Sequence, residues 1–229
     1  MTATTWPALA AVAWGGPALA PHAPPVCDLL GLRRRARGDG RSVHLTFDDG
    51  PHPAGTPAVL ETLAARGATA TFFLVGEQVE RYPALAGEIA AAGHVVALHG
   101  QRHRNQLRLA PRALADDMRR GADAIGSAAG RLAPLYRPPY GIFSAAGLAL
   151  VRRRGETPWL WSRWGRDWRA RATPQSVARL ASARLEAGDV ILLHDADHYS
   201  DAGSWRATAG ALPLILDAIE ARGLRSAGL

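Results

Sequence analysis

A single cysteine, Cys27, stands among the 229 residues. One thiol excludes an internal disulfide and any cysteine-rich zinc site, so a bound metal would take histidine and carboxylate ligands. Lysine is missing altogether. All 27 basic residues are arginine, against 20 acidic ones, for a formal charge of +7. Arginine used alone, in a chain full of alanine and glycine, reads as a coding bias rather than as a signal for a polyanion. The runs Arg33 to Arg35 and Arg152 to Arg154 sit at element edges instead of clustering on a recognition fold, so no nucleic-acid partner is expected. Beyond residue 40 no stretch runs 18 apolar residues without a charge, which excludes a polytopic membrane protein. Internal repeats and low-complexity linkers are also missing. With 48% hydrophobic and 21% charged residues, the composition is ordinary for a globular chain, and the length suits one large domain or two small ones.

Residues 6–26 carry no charged residue apart from His22. A secretory signal needs positive charge ahead of its apolar stretch, and none is there. Pro7, Pro17, Pro21, Pro24 and Pro25 would spoil a membrane helix. Residues 1–41 are therefore expected to be an irregular, apolar, proline-rich segment packed on the domain or leading into it, with a degenerate export segment as the alternative. The expected location is cytoplasmic, the alternative being export to the cell envelope. Neither a firm membrane association nor an oligomer is expected.

From residue 42 to 229 short β-type runs alternate with longer helical ones. Strands are expected at 42–47, 70–75, 94–98, up to 136, 157–162 and 189–194. Helices are expected at 56–66, 77–92, 111–129, 144–154, 174–187 (with Thr173 as its cap) and 207–222. This alternation implies parallel strands with helical crossovers, as a barrel or a doubly wound sheet. Asp48, Asp49, His99, Arg137 and His194 all fall at the C-terminal ends of predicted strands. In a parallel α/β fold those ends share the face where ligands bind.

Each motif has an ordinary reading when taken alone. Thr46-Phe47-Asp48-Asp49-Gly50-Pro51 could be an acidic turn. Adjacent side chains on a strand point to opposite sides, so a turn at Gly50 and Pro51 is expected to redirect one aspartate. His99 and His103 are spaced to lie on one face of a helical turn. Joined to a strand-end carboxylate, they would make a site of two histidines and one carboxylate, open to zinc, cobalt or another divalent ion. Arg137-Pro138-Pro139-Tyr140-Gly141 reads as a rigid wall. Ile191-Leu192-Leu193-His194-Asp195 places a histidine just past a buried strand. Five of the seven tryptophans, Trp159, Trp161, Trp164, Trp168 and Trp205, crowd into one stretch, where some are core and some face a ligand.

Together these segments resemble the polysaccharide deacetylase family, also called the NodB-homology domain or carbohydrate esterase family 4. The resemblance covers roughly residues 42–222 and rests on the order of the set: Thr46 to Gly50, His99 with His103, Arg137 to Tyr140, Asp167-Trp168, and Leu192-Leu193-His194. It implies a single-domain α/β fold, a distorted (β/α)7-type barrel. It implies a metal-dependent hydrolase that removes an N-acetyl group from an acetylated amino sugar. The metal ligands would be Asp49, His99 and His103, holding one divalent ion, with zinc ahead of cobalt. Asp48 would be the catalytic base, Arg137 its charge partner and His194 the general acid. Pro139 and the Tyr140 N–H would serve the oxyanion, and Trp168 and Leu192 would wall the acetyl pocket. Alternatives are an amidohydrolase acting on a small acylated metabolite and a catalytically weak sugar binder.

Two positions depart from the family pattern. Gly100 stands where the family usually has Ser or Thr, which removes one local hydrogen bond but no ligand. Trp164 stands where the fourth motif usually begins with an acid, so orienting His194 falls to Asp167 or Asp195. Finally, Arg102, Arg104 and Arg108 follow the metal histidines, and Arg163, Arg166, Arg169 and Arg171 surround Asp167-Trp168. If all seven ring one groove, the substrate should carry an anionic group near its N-acetyl sugar.

Overall fold

The computed structural model describes residues 17–18, 23–38 and 40–229. Its central strand is β1 (Ser42–Asp48), buried at all seven positions. Parallel β7 (Val190–His194) runs along one edge of β1. The other edge is shared by β8 (Arg225–Ala227), opposite Ser42 to His44, and β2 (Thr71–Leu74), opposite Thr46 to Asp48. Such complete cover is why these strands read as near-continuous apolar runs instead of alternating ones. Beyond β2 lie β3 (Val95–Leu98), β4 (Leu135–Tyr136) and β5 (Thr157–Pro158), and beyond β7 lies β6 (Arg163–Trp164), all in parallel pairing.

Parallel neighbours require crossovers. These carry α2 (Gly55–Ala65), α3 (Gly76–Arg81), α4 (Pro83–Ala91), α5 (Pro111–Ala129), α6 (Ala145–Arg153), α7 (Pro174–Ala181) and α8 (Trp205–Glu220). The result is the expected distorted (β/α)7-type barrel in one domain. Its core joins both sides of β1: Leu45, Phe47, Phe72, Leu98, Ile191 and Leu193 are fully buried, with Phe47 and Phe72 stacked at 5.0 Å.

Several elements differ from the sequence expectation. The helix expected at 77–92 is two, because Pro83 has no N–H to continue α3 and pushes Tyr82 to φ −132°. α7 stops at Ala181 instead of residue 187, and β8 has no counterpart in the expected set. A segment expected to be irregular contains α1 (Pro24–Leu29). Its prolines occupy the first turn, where a missing N–H costs nothing, and Cys27 is fully buried. Apart from 17–18 and 23–26, the segment 6–26 lies outside the described residues.

The strand expected at 157–162 is instead the two short strands β5 and β6, the ends of the sheet's path. Residues 33–36 run between the end of β5 and the entry to β7, the neighbour of β6. Arg33 N–H donates to Pro158 O (3.0 Å), Leu160 N–H to Arg33 O (2.7 Å) and Ala36 N–H to Gly188 O (2.8 Å). Bridges pair Arg33 with Trp159 and Arg35 with Asp189. The seam between the barrel's two ends is thus stitched by backbone from the start of the described chain.

Candidate metal and catalytic site

The C-terminal strand ends surround a cavity of about 340 Å³ whose carboxylates and imidazoles are those of Asp48, Asp49, His99, His103 and His194. β1 delivers the two aspartates, the exit of β3 the first histidine, the exit of β4 Arg137, and β7 the last histidine.

The turn that separates the aspartates begins at Asp49 itself, whose backbone adopts φ +77°, and continues through Gly50 and Pro51. Asp48 is 3% exposed, and its Oδ1 accepts a hydrogen bond from Arg137 Nη1 at 2.6 Å. Arg137 is itself fully buried. It also donates to Thr46 Oγ1 (2.8 Å) and Leu160 O (3.0 Å), and its guanidinium lies 4.1 Å over the Phe73 ring. Burial lowers its pKa, and the Asp48 carboxylate works against that shift. A buried pair of this kind needs partners for its remaining groups; both Nη atoms have them, while Nε has no hydrogen-bond partner among the described residues. With Oδ1 so held, Asp48 presents Oδ2 to the cavity, 3.9 Å from His99 Nε2.

Asp49 Oδ1 lies 3.4 Å from His99 Nε2 and 3.3 Å from His103 Nε2. Ligands ~2.1 Å from a tetrahedral ion lie ~3.3–3.4 Å apart, so each imidazole nitrogen already stands from Asp49 Oδ1 at the spacing such an ion requires, and all three donors lie within 4.8 Å of one another. Two further observations agree. Asp49 Oδ1 is buried without a hydrogen bond among the described residues. His99 Nδ1–H donates to Arg137 O at 2.8 Å, which leaves Nε2 as a lone pair facing Asp49. Burial opposes ionisation of Asp49, yet the imidazoles of His99, His103 and His194 hold its carboxyl well below the usual carboxylate range. Burial lowers His103 to about 4, outweighing Asp49, so it is neutral as a ligand must be. The residues fit a divalent ion.

The spacing of four between the histidines does not work through a helical turn. Residues 99–103 are irregular, and Gly100 sits at φ +98°. The loop is held from outside. Gly76 and Glu77, at the start of α3, donate their N–H groups to Gly100 O and Gln101 O, each at 2.9 Å. From α5, Asp117 Oδ2 accepts from Gln101 N–H (2.9 Å) and its Oδ1 accepts from Arg104 (2.5 Å). Gly121 of α5 lies under the loop, where a Cβ would meet Gln101 N and Gly100 C at 2.8 Å.

His194 Nδ1–H donates to Asp167 Oδ1 at 2.9 Å, leaving Nε2 toward the cavity, 4.0 Å from Asp49 Oδ2. Asp167 Oδ2 accepts from His194 N–H (2.7 Å) and Thr208 Oγ1 (2.6 Å), so the carboxylate is fixed from α8 as well. Asp167, not Asp195, therefore orients the imidazole. Asp195 points elsewhere, accepting from Thr56 Oγ1 at 2.5 Å, and burial raises it to about 7. Burial disfavours the His194 charge, but Asp167, with Asp49 and Asp48 behind it, raises the pKa to about 10.

Tyr140 lines the cavity at φ +61°, and its N–H donates to no acceptor among the described residues. Pro139 is buried and shapes this turn without lining the cavity. Trp168 and Leu192 form the apolar wall, together with Trp161 and Trp164. Trp161 was foreshadowed only as a member of the tryptophan cluster, and Trp164 also as the departure in the fourth motif. Trp159 belongs to the core with Phe73 and Val190, and Trp205 packs near His52. Tyr199 and Ser200 also line the cavity and had no motif to announce them.

The ring of seven arginines does not form. Arg163 turns away to Asp189 (3.0 Å), Arg104 is paired with Asp117, and Arg102 lies 3.8 Å from Glu77. Arg166 and Arg169 lie over the Trp164 and Trp168 rings. Arg104 and Arg108 border an adjoining hollow that shares His103 and Tyr140 with the cavity.

Comparison with known proteins adds relatives to this geometry. The family model for polysaccharide deacetylase matches residues 35–159. A chitooligosaccharide deacetylase of Bradyrhizobium sp. is 36% identical over 200 residues, 83% of this chain and 91% of its own length. A peptidoglycan-N-acetylglucosamine deacetylase of Bacillus cereus is 32% identical over 186 residues, 80% of this chain and 84% of its own. Among solved structures, a family 4 carbohydrate esterase from Streptomyces lividans in complex with acetate superposes with a TM-score of 0.73 at 32% identity, covering 81% of this chain and 91% of that one.

Proposed function

Because the chain belongs to the polysaccharide deacetylase family, we propose that it hydrolyses the N-acetyl amide of an acetylated amino sugar, with one divalent ion, zinc or cobalt, on Asp49, His99 and His103. The observation that carries this reading is the meeting of that donor triad with an arginine-held carboxylate and an aspartate-held imidazole in a single cavity. The relatives named above act on chitooligosaccharides and on peptidoglycan N-acetylglucosamine, and the acetylated amino group common to both is the substrate class proposed here.

When bound, the ion supplies Lewis acidity and a water of lowered pKa. Asp48 Oδ2 takes a proton from the attacking water while Arg137 fixes the other oxygen. The Tyr140 N–H donates to the carbonyl oxygen as it becomes negative. His194 Nε2, kept protonated by Asp167, gives its proton to the departing amine nitrogen, so that the C–N bond breaks to acetate and a free amine. The tryptophan and Leu192 wall receives the acetyl methyl.

Acetate release from N-acetyl chitooligomers, peptidoglycan fragments and small acylated amines tests the proposal. A chelator should abolish turnover on the sugars, and zinc or cobalt should restore it. Undiminished turnover by a verified metal-free preparation overturns the metal site, and turnover of the small amines alone overturns the substrate class.

A further inference from the structure

A histidine bound to a metal is normally held in place by a hydrogen bond from its other ring nitrogen. His99 has that bond, to Arg137 O. His103 does not: its Nδ1 is buried and reaches no partner among the described residues. Two tyrosines enclose the ring instead. Tyr199 stacks on it with centroids 4.4 Å apart and planes 12° apart, while Tyr140 meets it edge-on at 4.4 Å and 62°.

The two contacts are unequal. Tyr140 is 56% exposed. The Tyr199 hydroxyl, in contrast, donates to Glu77 Oε1 (2.6 Å) and accepts from Gln78 Nε2 (2.9 Å). Both partners belong to α3, whose first N–H groups hold Gly100 O and Gln101 O in the loop that carries His103. One helix end therefore sets the position of the ligand's loop and of the aromatic face opposite the ligand. A face contact this flat opposes rotation of the imidazole about χ2, and the tethered hydroxyl stops the phenol ring from sliding away.

We propose that Tyr199 is the positioning residue of His103, its anchored ring replacing the hydrogen bond that His103 lacks. This rests on the metal site proposed above but not on the identity of the sugar.

The test is zinc affinity, measured by competition with a chromophoric chelator on the full chain, without reference to turnover. Tyr199→Leu should weaken zinc binding by about 10- to 100-fold, the usual cost of losing support behind a ligand. Tyr199→Phe keeps the stacked face but loses the tether to α3, and should weaken binding clearly less than the Leu variant does. The visible spectrum of the cobalt-loaded Leu variant should shift as the geometry relaxes, while that of the Phe variant should not. Melting in chelator reports whether each variant folds. If Tyr199→Leu does not, Tyr199→Met, flexible and of similar volume, takes its place. Affinity in the Leu or Met variant within about twofold of the unaltered chain overturns the proposal, as does equal weakening in the Phe and Leu variants, which would assign the effect to the hydroxyl alone. An unaltered chain with no zinc affinity overturns the metal site, and this inference with it.

Discussion

Asp48 and Asp49 are chemically identical neighbours that the backbone sends to different tasks, and substitution should separate them. Asp49→Asn removes a charged ligand and should weaken zinc affinity, read by equilibrium competition. Asp48→Asn should keep zinc but lower kcat by ~10²–10⁴, the range of general-base work. Equal loss of zinc in both would contradict the division. His194 acts in its protonated form, so kcat/KM should fall as pH rises through its pKa. Its carboxylate neighbours set that pKa above the ordinary 6.5, at about 10 with Asp49 fully charged, against the pull of burial. A cation on Asp49 cancels part of this push, which moves the basic limb below about 10. Asp167→Asn removes the largest upward influence and should move the limb to lower pH in a kcat/KM profile. An unmoved limb would mean that another group donates the proton. At this scale the sequence was most legible where a residue ends a buried strand, because the strand itself fixes where the side chain emerges. It marked Thr46 as part of a motif but gave it no partner, and it was silent on Thr208 and Tyr199; the two threonine hydroxyls meet Arg137 and Asp167 only after distant elements pack.

Helix α5 shows how a site can depend on an element that contributes no group to it. Its two glycines, Gly121 and Gly126, are exchangeable by helix propensity, and Ala at either would favour an isolated helix by about 0.5–1 kcal/mol. Their surroundings differ. A Cβ at 126 meets nothing within 4 Å, whereas one at 121 meets the backbone of Gly100 and Gln101. Gly126→Ala should therefore raise the midpoint of chemical denaturation. Gly121→Ala should lower stability by about 1–3 kcal/mol through overpacking and weaken zinc binding by displacing the loop. If the two variants behave alike, the loop does not depend on that approach. The same segment shows where periodicity misleads. A spacing of four suggested a helical turn at 99–103, yet Gly100 at φ +98° and two flanking helices shape a loop that brings both rings to Asp49. Pro83, in contrast, is a break that the sequence displays and that the helix expected at 77–92 ran through.

Across the whole molecule, the proposed ligands join the exit of β1 to the exit of β3, with β2 between them. An ion that binds these ends only when folded should stabilise the chain by mass action, about 2.7 kcal/mol at a free concentration of 100 Kd. For a chain of this size that is a Tm rise of about 5–10 °C, which a thermal scan with and without zinc would detect. A Tm that ignores zinc would place the ligands outside any folded-state site. The parallel strand–helix order was legible because six alternating units left few topologies, a barrel or a doubly wound sheet, and the choice of the barrel came from the family resemblance. The part that was not legible is the seam, where Arg33 to Ala36 bond to Pro158, Leu160 and Gly188. Those partners lie more than a hundred residues away in the sequence, and no local pattern encodes them. Their separation also has a temporal side. On a ribosome, which makes the amino end first, residues 33–36 emerge before either of the strand ends they join exists. They must wait through the synthesis of β1 to β5 and of the residues up to 188. The earliest of these segments to be made is thus among the last that can be docked, and closure of the barrel is a long-range, late event of high contact order.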